Sequence, residues 1–206
     1  MTFTDREAVV IKRPKKTQGI EMHLYTKPDG NLVKEDSRNR AVLRINDIKN
    51  NVKVLANIRV ADIDFLAKQS DIALADWTTG KKECQIDLLA SSAEESNTVK
   101  FFSGAKFTDE RGFHKCYQLD IKYRPDRDYP IWITCKNFWA PLQKTTTGGT
   151  TIKMSEADQS QQAQICLTMK EWITVISKLV RVRNQWDTFR VVTGELDPYF
   201  SPDTYN

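Results

Sequence analysis

Cationic side chains alternate with apolar ones along three stretches that have the period-2 pattern of β-strands. Because successive side chains of a strand point to opposite sides of a sheet, one face of each predicted strand is apolar and the other is basic or aromatic. Ala41, Leu43 and Ile45 belong to the apolar face of the first stretch. The basic and aromatic positions of the three stretches are Arg38, Arg40, Arg44, Lys122, Arg124, Trp132, Lys136 and Phe138.

Aromatic rings beside ammonium and guanidinium groups suit the binding of single-stranded nucleic acid. Bases stack on the rings, each stack contributing about 1–3 kcal/mol, while Lys and Arg contact the phosphates. The pattern therefore predicts a nucleic-acid-binding face on a sheet. Two alternatives stay open: Trp132 and Phe138 fill a second core, or the arginines of the first stretch form an ordinary solvated strand face.

A basic segment near the N-terminus adds to this prediction. Its cations surround Pro14, which prevents a helix there. Residues 1–60 hold 13 Lys and Arg against 7 Asp and Glu, whereas the whole chain has a net charge of +4. We therefore expect a flexible basic arm over residues 1–18 that makes non-specific phosphate contacts. The contacting cations of the arm are Lys12, Arg13, Lys15 and Lys16.

An enzymatic alternative depends on a short acidic motif. Asp120-Ile121-Lys122 is a D-x-K triplet on a predicted strand, with Asp109 and Glu110 upstream. A metal-dependent nuclease uses two carboxylates to hold Mg²⁺ and a lysine to stabilise charge near the attacking water. Such triplets are common by chance, so we expect no catalytic residue and keep the nuclease as the second alternative.

The four cysteines do not form a metal motif. Cys84, Cys116, Cys135 and Cys166 contain no C-x-x-C pair and lie in apolar or aromatic stretches, and the chain has two histidines. A structural zinc site needs four closely spaced ligands. We therefore expect reduced thiols in the core, no metal site and no cofactor.

The elements that position these residues repeat along the chain. Six apolar positions recur at a constant offset of 107, running from a strand into a helix each time, and such a repeat predicts a repeated structural unit. The pairs are Ile58 and Ile165, Val60 and Leu167, Phe65 and Trp172, Leu66 and Ile173, Ile72 and Leu179, and Ala73 and Val180.

Each predicted unit ends in an amphipathic helix. The first helix extends from about Ala61 to Asp76 before Gly80, and the second follows Thr168, which forms a capping box with Glu171. The first copy has no Thr at the matching position, so we expect no capping box there. The predicted fold class is α+β, with two strand-rich units, each closed by a helix, packed as an intrachain pseudo-dimer. The predicted segments are the arm 1–18, the first unit 19–80, the second unit 84–193 and a flexible tail 194–206.

The second strand-to-helix junction resembles known single-stranded DNA-binding units. Ile165-Cys166-Leu167-Thr168-Met169-Lys170-Glu171-Trp172 is similar to the end of a Whirly or positive-coactivator type unit, in which a curved sheet precedes one long helix. Similar units of the Pur-alpha family occur in tandem in one chain. The resemblance covers about residues 20–77 and 115–186. It implies that the helices pack between paired units while the sheets present the basic and aromatic residues named above to nucleic acid.

These patterns predict a protein that binds single-stranded nucleic acid, DNA rather than RNA, in replication, recombination or transcription. The first alternative is a protein-interaction or inhibitor module whose exposed aromatic residues contact a protein. The tail is either a disordered end or an acidic, aromatic peptide that recruits a replication or transcription protein, and the apolar helix stripes leave a homodimer open. Residues 1–16 lack the apolar region of a secretory signal and no segment is apolar enough to span a membrane, so we expect a cytoplasmic or nuclear protein with no membrane partner.

Overall fold

The first sheet consists of four antiparallel strands that follow one another in chain order. A computed structural model describes residues 8–13, 19–26, 40–81, 85–89, 99–102 and 104–192. Alternation assigns the two faces of the sheet, since Leu43 and Ile45 are buried whereas Arg44 between them is only half-buried. The strands are β1 (Ala8–Lys12), β2 (Ile20–Thr26), β3 (Arg40–Asp47) and β4 (Val52–Arg59).

The second sheet is built from the longer strands of the C-terminal half. The remaining strands are β5 (Ile86–Leu89), β6 (Val99–Phe101), β7 (His114–Tyr123), β8 (Ile131–Ala140), β9 (Leu142–Lys144), β10 (Thr150–Ile152) and β11 (Asp158–Leu167). The order in the sheet is β11-β8-β7-β5, and β6 also pairs with β7, while β9 and β10 form a separate hairpin. All of these pairings are antiparallel, so the structure confirms the predicted α+β class.

Each sheet is followed by one helix. The helix α1 (Val60–Thr79) continues directly from β4, and α2 (Met169–Val192) follows β11. As predicted, Gly80 ends α1 in the left-handed conformation with φ 68°, which glycine adopts without steric cost. Neither helix is long and apolar enough, over the residues that the structure describes, to cross a lipid bilayer.

Both helices begin with a carboxylate that accepts a backbone hydrogen bond. In α2 the predicted capping box is confirmed, because the N–H of Thr168 donates to Glu171 Oε2 at 2.8 Å and the N–H of Glu171 donates to Thr168 Oγ1 at 3.2 Å. In α1 the N–H of Arg59 donates to Asp62 Oδ2 at 2.9 Å. The prediction that the first copy has no such bond was therefore wrong in part, since Asp62 supplies the carboxylate half of the box even though Arg59 has no accepting side-chain oxygen.

One hydrophobic core joins both sheets and both helices. Leu43 of β3, Ile133 of β8, Leu66 of α1 and Trp172 of α2 all belong to this core. Between the helices, the indole N–H of Trp172 donates to Ser70 Oγ at 2.9 Å in a buried position. The predicted units are thus not closed separately, because each covers part of the apolar surface of the other.

The burial of the two helices does not follow the predicted offset of 107. At an offset of 107, exposed Phe65 (48%) would match buried Trp172 (1%). The capping carboxylates Asp62 and Glu171 instead match at an offset of 109 (171 − 62), and so do buried Ile63 and Trp172. Within the strands both offsets keep the same face because they differ by two residues, but in a helix two residues correspond to a rotation of about 200°.

One predicted segment boundary also changes. Residues 8–12 of the predicted flexible arm form β1, because Val9 and Ile11 are buried at one edge of the first sheet. Residues 158–162 begin β11, and this polar start lies on an edge strand, where side chains are exposed to water. The strand β6 ends at Phe101, and a short 3₁₀ turn follows at Ala105–Phe107. The predicted tail 194–206 lies outside the described residues.

Candidate nucleic-acid interface

Four of the predicted binding residues lie together on the face of the second sheet that points away from the core. Lys122 of β7 lies directly opposite Trp132 of β8, and Lys136 of β8 lies opposite Gln118 of β7. Arg124 follows β7, and its guanidinium carbon is 4.7 Å from the ring centroid of Trp132. We call these residues, Lys122, Arg124, Trp132 and Lys136, the outer face of the second sheet.

The turn between β7 and β8 fixes the ring of Trp132. Its indole N–H donates to the carbonyl of Tyr129 at 3.0 Å, and the backbone N–H of Arg124 donates to the carbonyl of Pro130 at 2.7 Å. Tyr129 itself is 45% exposed, and the guanidinium of Arg13 lies 5.0 Å from its ring centroid. Tyr129 has no signal in the sequence, because a tyrosine in a turn carries no strand periodicity.

The cations of this face are weakly neutralised. Lys122 Nζ is 3.9 Å from Asp87 Oδ1, near the limit of an ion pair. Over the described part of the chain, Arg124 and Lys136 form no ion pair with a carboxylate, and the buried Nε of Arg124 has no hydrogen-bond partner. Asp120 lies on the same face, with Gln118 Nε2 3.5 Å from its Oδ2. The face is therefore mixed in charge, with two cations available to an incoming anion.

Phe138 is not part of this face, contrary to the prediction. It is 1% exposed and packs in a small second cluster with Cys116 and Ala140. Side chains from β6 and β10 cover this end of the sheet, since Phe101 and Ile152 pack against the same cluster. Trp132, by contrast, is only half-buried. The alternative of a second aromatic core is thus correct for Phe138.

The predicted residues of the first sheet lie on a different surface. Arg44 points to the outer side of β3, opposite His23 of β2 and Leu55 of β4. Lys12 is exposed at the edge, with its ammonium 3.4 Å from Glu21 Oε1. Arg40 pairs with Arg59 by backbone register, whereas Arg38, Lys15 and Lys16 lie outside the described residues. The predicted face is therefore divided between two sheets.

Arg13 of the predicted arm contacts the start of α2. Its guanidinium forms a two-bond ion pair with Glu171, with Nη1 to Oε1 at 2.8 Å and Nη2 to Oε2 at 2.6 Å. It also donates to the carbonyl of Cys166 at 2.7 Å. This pair lowers the pKa of the Glu171 carboxyl, chiefly through the hydrogen bonds from Arg13. Arg13 thus attaches the end of β1 to the second unit.

The carboxylates of the predicted nuclease motif do not lie together at one site. Asp109 forms an ion pair with Arg111 at 2.7 Å and precedes β7, which begins at His114. Asp120 lies six residues after His114 on β7, a distance of about 20 Å at the rise of a strand. Among the described residues there is no group of three or more His, Cys, Asp or Glu that could hold a metal ion.

The described cysteines have the environment of unreactive thiols. Burial raises the pKa of Cys116 to about 11 and that of Cys135 to about 12, so both are protonated near neutral pH. Cys166 is half-buried, and burial raises its pKa as well. Cys84 lies outside the described residues.

Comparisons with known proteins found no relative of this chain. No family model matches the chain, and no curated protein or solved structure matches it.

Proposed function

We propose that this protein binds single-stranded nucleic acid, DNA in preference to RNA, on the outer face of the second sheet. The observation that carries the proposal is the pairing of Arg124 with Trp132 at 4.7 Å, with Lys122 directly opposite Trp132 and Lys136 four residues further along β8 on the same face. A base can stack on a tryptophan ring or on a guanidinium plane, and lysines beside it contact the phosphates.

The ring of Trp132 is held in place in a way that favours ligand binding on this face. The hydrogen bond from Trp132 to the carbonyl of Tyr129 holds the indole in one orientation before any ligand arrives. A ring that is already fixed loses little side-chain entropy on binding, which favours affinity. Since the chemistry is stacking and charge pairing, we expect binding that depends strongly on salt and weakly on sequence, as suits replication, recombination or transcription.

We also infer that the two halves form an intrachain pseudo-dimer of the Whirly or Pur-alpha type. Each half has an antiparallel sheet that leads into a helix whose third residue, Asp62 or Glu171, accepts the capping bond. The two helices contact each other through Trp172 and Ser70. These matched features support two related units around one core.

A protein-binding function is the second candidate. Phe65 and Ile72 of α1 are 48% and 49% exposed, and Ile173 of α2 is 40% exposed. Exposed large apolar side chains on helices favour a contact with another protein over one with nucleic acid. This candidate predicts little salt dependence and no effect of substitutions on the outer face of the second sheet.

The proposal is tested by fluorescence anisotropy of labelled single-stranded and duplex oligonucleotides across a salt series, with EDTA present. The test variant is Lys122→Glu with Lys136→Glu. The control is Lys68→Glu with Lys170→Glu, which changes the net charge equally at exposed positions of the two helices. We expect the test variant to bind single strands at least about tenfold more weakly, with a salt dependence smaller by about 0.7 per lost phosphate contact.

The control variant should retain the wild-type affinity within about twofold, because its charges lie away from the face. A separate substitution, Trp132→Ala, should weaken binding by about 1–3 kcal/mol through loss of stacking. Equal weakening in the test and control variants, or no binding of any oligonucleotide, would contradict the proposed face.

A further inference from the structure

The edge strand β4 of the first sheet contacts β8 of the second sheet at a corner, which contains none of the residues of the outer face. The side chain of Asn137 in β8 pairs with the backbone of Leu55 in β4, since Leu55 N–H donates to Oδ1 at 2.8 Å and Nδ2 donates to the Leu55 carbonyl at 2.7 Å. These two hydrogen bonds between side chain and backbone hold the edge strand β4 against β8. The strand β4 contacts both β8 and β7.

Two lysines lie on the strands that meet at this corner. Lys53 is two residues before Leu55 on the same side of β4, and Lys115 is two residues before Tyr117, the β7 partner of Asn137. Burial lowers the pKa of Lys115, and the positive charge of Lys53 lowers it further. Neither lysine forms an ion pair within the described part of the chain. Two neighbouring ammonium groups, one of them half-buried, repel each other unless an anion lies between them.

An aromatic ring completes the corner. Trp139 lies directly opposite Lys115 in the β7–β8 pairing, at a distance where cross-strand side chains touch. It is half-buried and lies beyond the hydrophobic core. On the other side of Trp139, Asp158 of β11 is its partner in the strand pairing. The Asp158 carboxylate forms an ion pair with Arg111 at 2.6 Å. That carboxylate is thus neutralised by its own partner.

We propose that Lys53, Lys115 and Trp139 form a second site that binds the phosphate group of a nucleotide, with the base against the indole ring. The two ammonium groups supply the charge that a phosphate needs, and the ring supplies a stacking surface for a flat ligand. The nucleotide is either free or part of a strand. The site is independent of the outer face of the second sheet, because it uses different residues on the other side of β7 and β8.

The site is tested with AMP, inorganic phosphate and adenosine as probes in isothermal titration calorimetry. We expect AMP to bind more tightly than phosphate or adenosine alone, since only AMP offers both groups. Lys115→Met should lower AMP affinity at least tenfold, and Lys53→Ser, at an exposed position where folding is not at risk, should also lower it. Lys122→Glu with Lys136→Glu should leave AMP binding unchanged, which separates this site from the proposed function.

A second measurement identifies the source of the nucleotide. With lysines labelled by reductive ¹³C-methylation, AMP or an oligonucleotide should shift the signals of Lys53 and Lys115. If AMP shifts them, the site takes a free nucleotide; if only the oligonucleotide does, it takes a phosphate within a strand. If neither ligand shifts these signals and Lys115→Met binds both as the wild type does, the proposal is overturned.

Discussion

Asn137 shows how one side chain decides the packing of two sheets. It is 4% exposed and occupies a strand position among buried apolar neighbours, where a polar group is costly unless its hydrogen bonds are made. Its amide supplies both a donor and an acceptor to Leu55 and so replaces the strand that would otherwise pair with the edge of β4. An asparagine among alternating apolar residues is the only trace of this role in the sequence.

Replacement of Asn137 by leucine is expected to destabilise the protein by about 2–4 kcal/mol. The substitution leaves the part-buried N–H and C=O of Leu55 without this partner, and each unpaired group costs about 1–3 kcal/mol. Urea unfolding followed by circular dichroism measures the change. Gln161→Leu, at the exposed position opposite Asn137 on β11, is the control and should change stability by less than about 0.5 kcal/mol. Equal stability of Asn137→Leu and wild type would show that the amide is replaceable.

At the scale of elements, the contact between Arg13 and Glu171 connects the first strand to the last helix. The side chains are 16% and 29% exposed, so water screens this ion pair less than it screens the exposed pair of Lys12 and Glu21. Because Glu171 also caps α2, its charge supports both the helix start and the position of β1. The contact crosses nearly the whole chain and has no signal in either local sequence.

The stabilisation by this pair is expected to disappear in acid. The pKa of Glu171 in the folded protein lies below the ordinary value of 4.5, so its contribution is complete above about pH 4.5 and is lost as the pH falls through the folded pKa. Arg13→Met should therefore cost about 1 kcal/mol at pH 7 and much less at pH 3. Chemical denaturation at the two pH values measures the difference, with Lys12→Met as the control that should change little at either pH. A cost for Arg13→Met that is independent of pH would contradict a charge-based role.

For the whole molecule, one shared core predicts one unfolding transition. The two predicted units bury Leu43, Leu66, Ile133 and Trp172 in the same core, so neither half keeps its apolar surface covered when the other opens. We expect guanidinium unfolding curves from far-UV circular dichroism and from tryptophan fluorescence to coincide.

Core substitutions in either sheet provide the check on this cooperativity. Leu43→Ala in the first sheet and Ile133→Ala in the second should each lower the midpoint by the same amount in both signals, with a loss of about 2–5 kcal/mol. Two separated transitions, each sensitive to only one of these substitutions, would mean that the halves unfold independently.

Local patterns in the sequence were sufficient for most elements and for part of the candidate interface. Alternation located β3, β7 and β8 and the buried face of each, because side-chain direction in a strand depends only on residue parity. The capping box at Thr168 and the stop at Gly80 depend on bonds within one helical turn, so they were predictable too. The same parity correctly grouped Lys122, Arg124, Trp132 and Lys136.

Only the tertiary structure decided which of these faces are covered and by what. Phe138 shares the parity of Trp132, yet β6 and the β9–β10 hairpin bury it, and parity contains no information about elements that fold over a sheet. The shared core and the partner of Arg13 likewise depend on contacts between distant segments. Sequence by itself determined the direction of each side chain relative to its own backbone, and the packing of sheets and helices determined its neighbours.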